Sequence, residues 1–171
     1  MKPLIIVGSV LAAGCGEDGL AGPDLSGIYQ VTQMLESEDS CDPQSPVAMP
    51  DAYFLLEPKQ LFGRDYFRHA ICTSTDPATC EELGSVGPLD TARDDGWQGG
   101  IGYSSGEAPP CLLGYAFGIA IETGADTVRI DDQSYADRNA DSCDPEEATR
   151  RGTSLPCVGS TMWLGTRVGE I

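Results

Sequence analysis

The sequence predicts a mainly β domain, an antiparallel barrel or sandwich with two short helices, cross-linked by disulfides. Three observations lead there. Short runs of β-branched, aromatic and aliphatic residues recur along the chain, separated by Gly, Pro and Asp turns. Only two segments carry a helix start signal. Seven cysteines are present, and setting Cys15 aside leaves an even six, which in an exported chain reads as a disulfide framework.

The elements follow in order. Met1-Lys2 supplies one positive charge, and Pro3 to Ala13 forms a short apolar run ending in small residues. That pattern is an export signal over residues 1–14. The run is too short for a bilayer span, which needs about 20 apolar residues. Residues 15–24 are rich in Gly, Pro and acid without periodicity, so they read as a tether. Residues 25–171 have the length of one domain with a sizeable core. Strands are expected over Gly27–Leu35, Ala52–Leu56, Tyr66–Cys72, Gly99–Ser105 and Cys111–Ile121. A turn at Gly124-Ala125-Asp126 joins the last of these to Thr127–Ile130 as a hairpin. Thr161–Val168 closes the series. The first helix should open at Asp76-Pro77 and end at Gly84. The second should open at Asp144-Pro145, with Arg150 and Arg151 at its negative end and Gly152 as its stop.

The disulfide set comprises Cys41, Cys72, Cys80, Cys111, Cys143 and Cys157. Six cysteines allow many pairings, of which a local Cys72–Cys80 bridge is the favoured member. Zinc is a poor alternative, because no C-x2-C pair occurs and His69 is the single histidine. Seven residues separate Cys72 from Cys80, unlike a redox C-x-x-C, so a structural bridge is expected.

Leu11-Ala12-Ala13-Gly14-Cys15 resembles the bacterial lipobox. The resemblance implies cleavage before Cys15 and acylation of its thiol, giving an exported chain held to the cell envelope by lipid. The fit departs at Ala12, where the family prefers Leu. Gly16, rather than Asp, follows the cysteine, and in enteric bacteria that implies sorting to the outer membrane. Gly27-Ile28-Tyr29, with Arg167 on a late strand, is similar to the lipocalin (calycin) pattern, in which a late cation packs over a first-strand aromatic. Tyr29 stands where that family has Trp, and only the two ends of the domain are covered. A broader likeness spans Leu25–Thr32, Ser40-Cys41-Asp42, Asp94–Trp97, Cys111–Tyr115 and Glu147–Cys157. These segments resemble a set of uncharacterised myxobacterial lipoproteins, which implies the envelope location and leaves function open.

Lys and Arg number 10 against 27 Asp and Glu, a net charge of -17. Nucleic acid is an unsuitable partner, since its binding depends on cationic contact with phosphate. The expected partners are the membrane, through the lipid anchor, and either an envelope protein or a small apolar ligand. No catalytic constellation stands out, so the chain is read as a non-enzymatic binding or surface-interaction protein.

Four motifs bear on that reading. Gly102-Tyr103-Ser104-Ser105-Gly106 matches the G-x-S-x-G of serine hydrolases, but Pro109-Pro110 follows where a helix is required, and His69 precedes the serine. A glycine-rich strand and turn is the expectation. Asp137, Asn139 and Asp141 alternate as in a calcium loop, yet Ser142 and Ala148 replace the expected Gly and bidentate Glu. A solvated acidic loop is the bland alternative to calcium. Phe62, Arg64, Tyr66, Arg68 and His69 form a basic-aromatic cluster that either receives an anion or sugar, or pairs with carboxylates across the sheet. Trp97 and Trp163 are candidates to line a cavity, with core packing expected for at least one.

Overall fold

Alternation of apolar and polar residues sets the architecture. The computed structural model describes residues 22–43, 45–48, 52–61, 63–82 and 88–171. Its strands are β1 (Gly27–Ser37), β2 (Ser45–Pro46), β3 (Tyr53–Leu61), β4 (Arg64–Cys72), β5 (Cys80–Glu82), β6 (Thr91–Arg93), β7 (Gly96–Ser105), β8 (Cys111–Gly124), β9 (Thr127–Ala140) and β10 (Cys157–Gly169). One α-helix, α1 (Pro145–Arg151), lies between β9 and β10. The strands form a single antiparallel sheet in the order β5-β4-β3-β1-β10-β9-β8-β7-β6, with β2 against β1. Successive strands are neighbours within β3 to β5 and within β6 to β10, and β1 joins the two runs by sitting between β3 and β10. The result is a curled half-barrel. Its far flanks approach each other. Phe67 of β4 and Leu89, just before β6, exchange backbone hydrogen bonds of 3.0 and 3.2 Å.

Register assigns the faces. Trp163 pairs with Ile130, Ile130 with Ala120, and Ala120 with Trp97. These residues share the concave face with Tyr29, Phe54, Leu56, Phe67 and Val128, in one buried cluster. Intervening residues face outward. Ile28, Leu55, Ala70 and Cys72 form a second cluster there, and Leu113 and Ala140 pack with Ala148 of α1 in a third. Gly165 is required on the concave side, because a Cβ there would collide with the Phe54 ring.

The two ends of the half-barrel differ. The base gathers the start of β1, the turns at residues 94–95 and 124–126, and the end of β10. The mouth gathers the end of β1, the end of β4, the start of β8 and the β9-to-β10 connection. All three disulfides lie at the mouth: Cys41–Cys157, Cys72–Cys80 and Cys111–Cys143.

Several expectations need correction. One short α-helix forms among the described residues, not two. Asp76 does cap its turn by accepting from Ala78 N at 3.0 Å, but the turn is a 3-10 segment of three residues, Pro77–Thr79. Cys80 is then drawn into register opposite Cys72 as part of β5. Tertiary pairing overrides a local start signal here. Gly84, the expected stop, lies outside the described residues. The second helix forms as expected: Asp144 accepts from Glu146 N at 2.9 Å, and Gly152 ends it with φ of 48°. The Thr127 strand runs ten residues beyond Ile130, to Ala140.

Candidate functional site

The base is an aromatic cluster whose phenol and indole groups are hydrogen-bonded. Tyr29 stacks on Phe54 with centroids 4.9 Å apart. Arg167 lies over the Tyr29 ring, 5.5 Å from its centroid, and its Nη2 donates to the Tyr29 hydroxyl at 3.0 Å. That hydroxyl in turn donates to the Leu25 carbonyl at 2.8 Å. Burial pushes the Tyr29 phenol up, opposed by the Arg167 charge. Trp97 is 1% exposed and donates its indole N–H to the Pro23 carbonyl at 2.7 Å. Residues 22–25 therefore dock across this end.

The mouth is different. A cavity of about 280 Å³ opens there, lined in part by Glu36, Asp132, Ser134, Thr161 and Trp163. Asp132 pairs with Thr161 and Gly118, one step above the Ile130 row, so its carboxyl enters the concave face. Across the interior, β4 supplies His69, whose partner Leu56 belongs to the inner cluster. His69 Nδ1 lies 3.6 Å from Asp132 Oδ2, with the two side chains 2% and 14% exposed. The His69 ring meets Phe54 edge-on at 5.8 Å and Trp163 at 6.3 Å.

These polar groups are poorly matched. Both His69 nitrogens, Asp132 Oδ1 and Trp163 Nε1 are buried without a hydrogen-bond partner. Such groups normally find partners, because an unpaired buried donor or acceptor costs on the order of 1–3 kcal/mol. Burial pushes the Asp132 carboxyl up to about 7. The neighbouring Asp131 charge adds to this, while the Trp163 indole, which faces the carboxylate without closing a hydrogen bond, opposes it. Burial alone takes His69 down to about 4. The pair thus resists charging, and the described cavity lining contains no Lys or Arg.

The sites expected from sequence fall elsewhere, with two exceptions. Trp97 is core and Trp163 lines the cavity. The basic-aromatic cluster divides between faces: Arg68 pairs outside with Glu57 at 3.0 Å, while His69 points inward. Phe62 lies outside the described residues. Ser104 sits within strand β7, not on a strand-to-helix turn, and donates to the Cys143 carbonyl at 2.8 Å. Gly102 of the same motif serves packing, since a Cβ would collide with Thr149 and Pro145 of α1. The acidic loop considered for calcium is largely strand: Asp137 and Asn139 belong to β9, with Asp141 just beyond it. The Asn139 backbone N–H donated to Asp137, followed by the Arg151 pair at 3.1 Å, holds its carboxylate below the usual range. Among the described residues no group of three or more His, Cys, Asp or Glu is placed to hold a metal. Cys15, the signal segment and the tether up to residue 21 lie outside the described residues. No described helix is long and apolar enough to cross a membrane.

Asp132 was not anticipated. The signal was present in Val128-Arg129-Ile130-Asp131-Asp132: extending the alternation past Ile130 places Asp132 inward. No protein-family model, curated protein or solved structure matches the chain.

Proposed function

We propose that this chain is a cell-envelope lipoprotein, anchored through Cys15 to the outer membrane, whose β domain binds a small molecule without transforming it. The observation that carries the binding role is the mouth cavity, whose lining includes Asp132 and Trp163, each with a buried polar atom that closes no hydrogen bond within the protein. A ligand supplying the missing partners recovers the cost of leaving them unpaired. The domain is a calycin-like barrel, closed through the Phe67–Leu89 bridge. The cyclic strand order and the Arg167–Tyr29 contact support this.

A long apolar ligand suits the cavity less well. Below Trp163 the interior is occupied by Tyr29, Phe54, Leu56, Phe67 and Trp97, so the open volume is small and partly polar. Native mass spectrometry of the protein extracted gently from its own envelope tests the reading. The expected spectrum shows acyl mass on Cys15 and an additional small-molecule mass that D132N loses. A bare chain without acyl mass would overturn the anchor, and an additional mass unaffected by D132N would overturn the cavity assignment.

A further inference from the structure

We propose that the mouth cavity takes a small amine carrying a hydrogen-bond acceptor, with Asp132 receiving the ammonium and the Trp163 indole donating to the acceptor. This rests on the binding role above and specifies its ligand class.

Charge and unmet valence point to this ligand class. Three carboxylates outside the cavity meet cations: Glu57 meets Arg68, Asp131 meets Arg129 at 2.8 Å, and Asp137 meets Arg151. Asp132 is the carboxylate of the inner face whose charged-capable neighbour, His69, is held neutral by burial. Its Oδ1 has no partner. A cation brought by a ligand supplies the missing charge, and at short range in a partly desolvated cup such a contact is stronger than on the surface. Glu36 on the same lining adds to the negative field, and the net charge of -17 favours cations over anions at the approach stage. An anionic ligand would face Asp132 and Glu36 without a lining Lys or Arg to receive it. The second specificity element is the Trp163 N–H. The residue is 6% exposed and lines the cavity, and its donor has no protein acceptor. A hydroxyl or carbonyl oxygen a few bonds from the amine satisfies it. The cavity, at about 280 Å³, lies at the small end of ligand pockets, which favours short amino alcohols over extended polyamines.

The test is calorimetric titration of the disulfide-intact protein with ethanolamine and serinol, beside their neutral counterparts ethylene glycol and glycerol. The amino alcohols should bind and the neutral alcohols should not. D132N should weaken binding roughly 30-fold or more, W163F roughly fivefold by removing the donor while keeping a ring, and D131N, which changes the outward-facing neighbour, by less than about twofold. Amino alcohols that bind no better than their neutral counterparts, or equally well to D132N, would overturn the inference. If the native spectrum shows a neutral or anionic molecule lost in D132N, the ligand class falls while the binding site stands. If neither titration nor spectrum shows a ligand, both fall.

Discussion

Trp97 and Trp163 stand in one hydrogen-bonded row of the same sheet, and their indole nitrogens meet opposite fates. At the base, Trp97 finds the Pro23 carbonyl, Tyr29 finds Leu25 and Arg167 finds Tyr29. Both aromatic polar groups have a partner there, although Arg167 Nε closes no hydrogen bond, and packing is dense enough that Gly165 has no room for a Cβ. Toward the mouth, Trp163, His69 and Asp132 are buried to a similar degree and keep unpaired atoms. Apolar packing holds the base; the mouth has three disulfides. The difference teaches that covalent cross-links let one end tolerate unfavourable polar burial. A chain that depended on packing alone there would be selected to fill the cavity with aliphatic side chains.

Removing the longest cross-link should break that contrast most severely. Cys41 and Cys157 are 116 residues apart, so C41A/C157A should lose about 4–5 kcal/mol by the chain-entropy relation, read by urea denaturation. Hydrogen exchange should accelerate first at mouth amides such as Ala136, which donates to Pro156, while base amides stay protected. Uniform acceleration would mean the ends are not separable. Phe54→Ala attacks the other side. Its ring is fully buried between Tyr29 and His69, and truncation should cost about 3–5 kcal/mol, with the base exchanging first.

The His69–Asp132 pair offers a pH test of intermediate size. His69 titrates lower in the folded chain than when unfolded, so between about pH 4 and 6.5 the unfolded chain binds the extra proton and stability rises with pH. Asp132 titrates higher when folded, so from pH 3.8 to about 7 the native chain binds the extra proton and stability falls as pH rises. The slopes oppose each other and largely cancel between pH 4 and 6.5. Measured against H69Q/D132N, the D132N single variant should gain on the order of 3 kcal/mol across that window as pH rises, and H69Q should lose a comparable amount. Parallel profiles for all three proteins would refute the buried pair. A smaller effect is expected at the base: R167Q removes the cation over Tyr29 and one hydrogen bond, for about 1–2 kcal/mol, seen as a lower denaturation midpoint with unchanged amine binding.

Much of the base was legible in the sequence because its strands are dense in apolar residues. Ile28-Tyr29 and Phe54-Leu55-Leu56 bury apolar groups on both faces. Val128-Arg129-Ile130 instead alternates between buried and exposed. Toward the mouth the apolar inner residues end. Beyond Ile130 strand β9 carries Asp132 and Ser134 inward and Asp131 and Gln133 outward, polar on both faces, so it reads as a loop. His69 is adjacent in sequence to Arg68, which as the preceding residue of the strand faces the other side, so a sequence cluster of the two spans both faces. The helix expected after Asp76 failed for a nonlocal reason: a cysteine eight residues earlier pairs with Cys80 and demands a strand. The cavity arises where β9, β10 and β1 come together, a convergence set by the topology.

The contact between Pro23 and Trp97 also fixes a direction. Residues 22–25 lie at the end opposite the cavity, pinned there by the Trp97 indole bond to Pro23 and by the buried Leu25. Tension applied at Gly22 is borne first by these two contacts. A pulled domain should therefore begin to yield at its base, while the cross-linked rim around the opening keeps its shape.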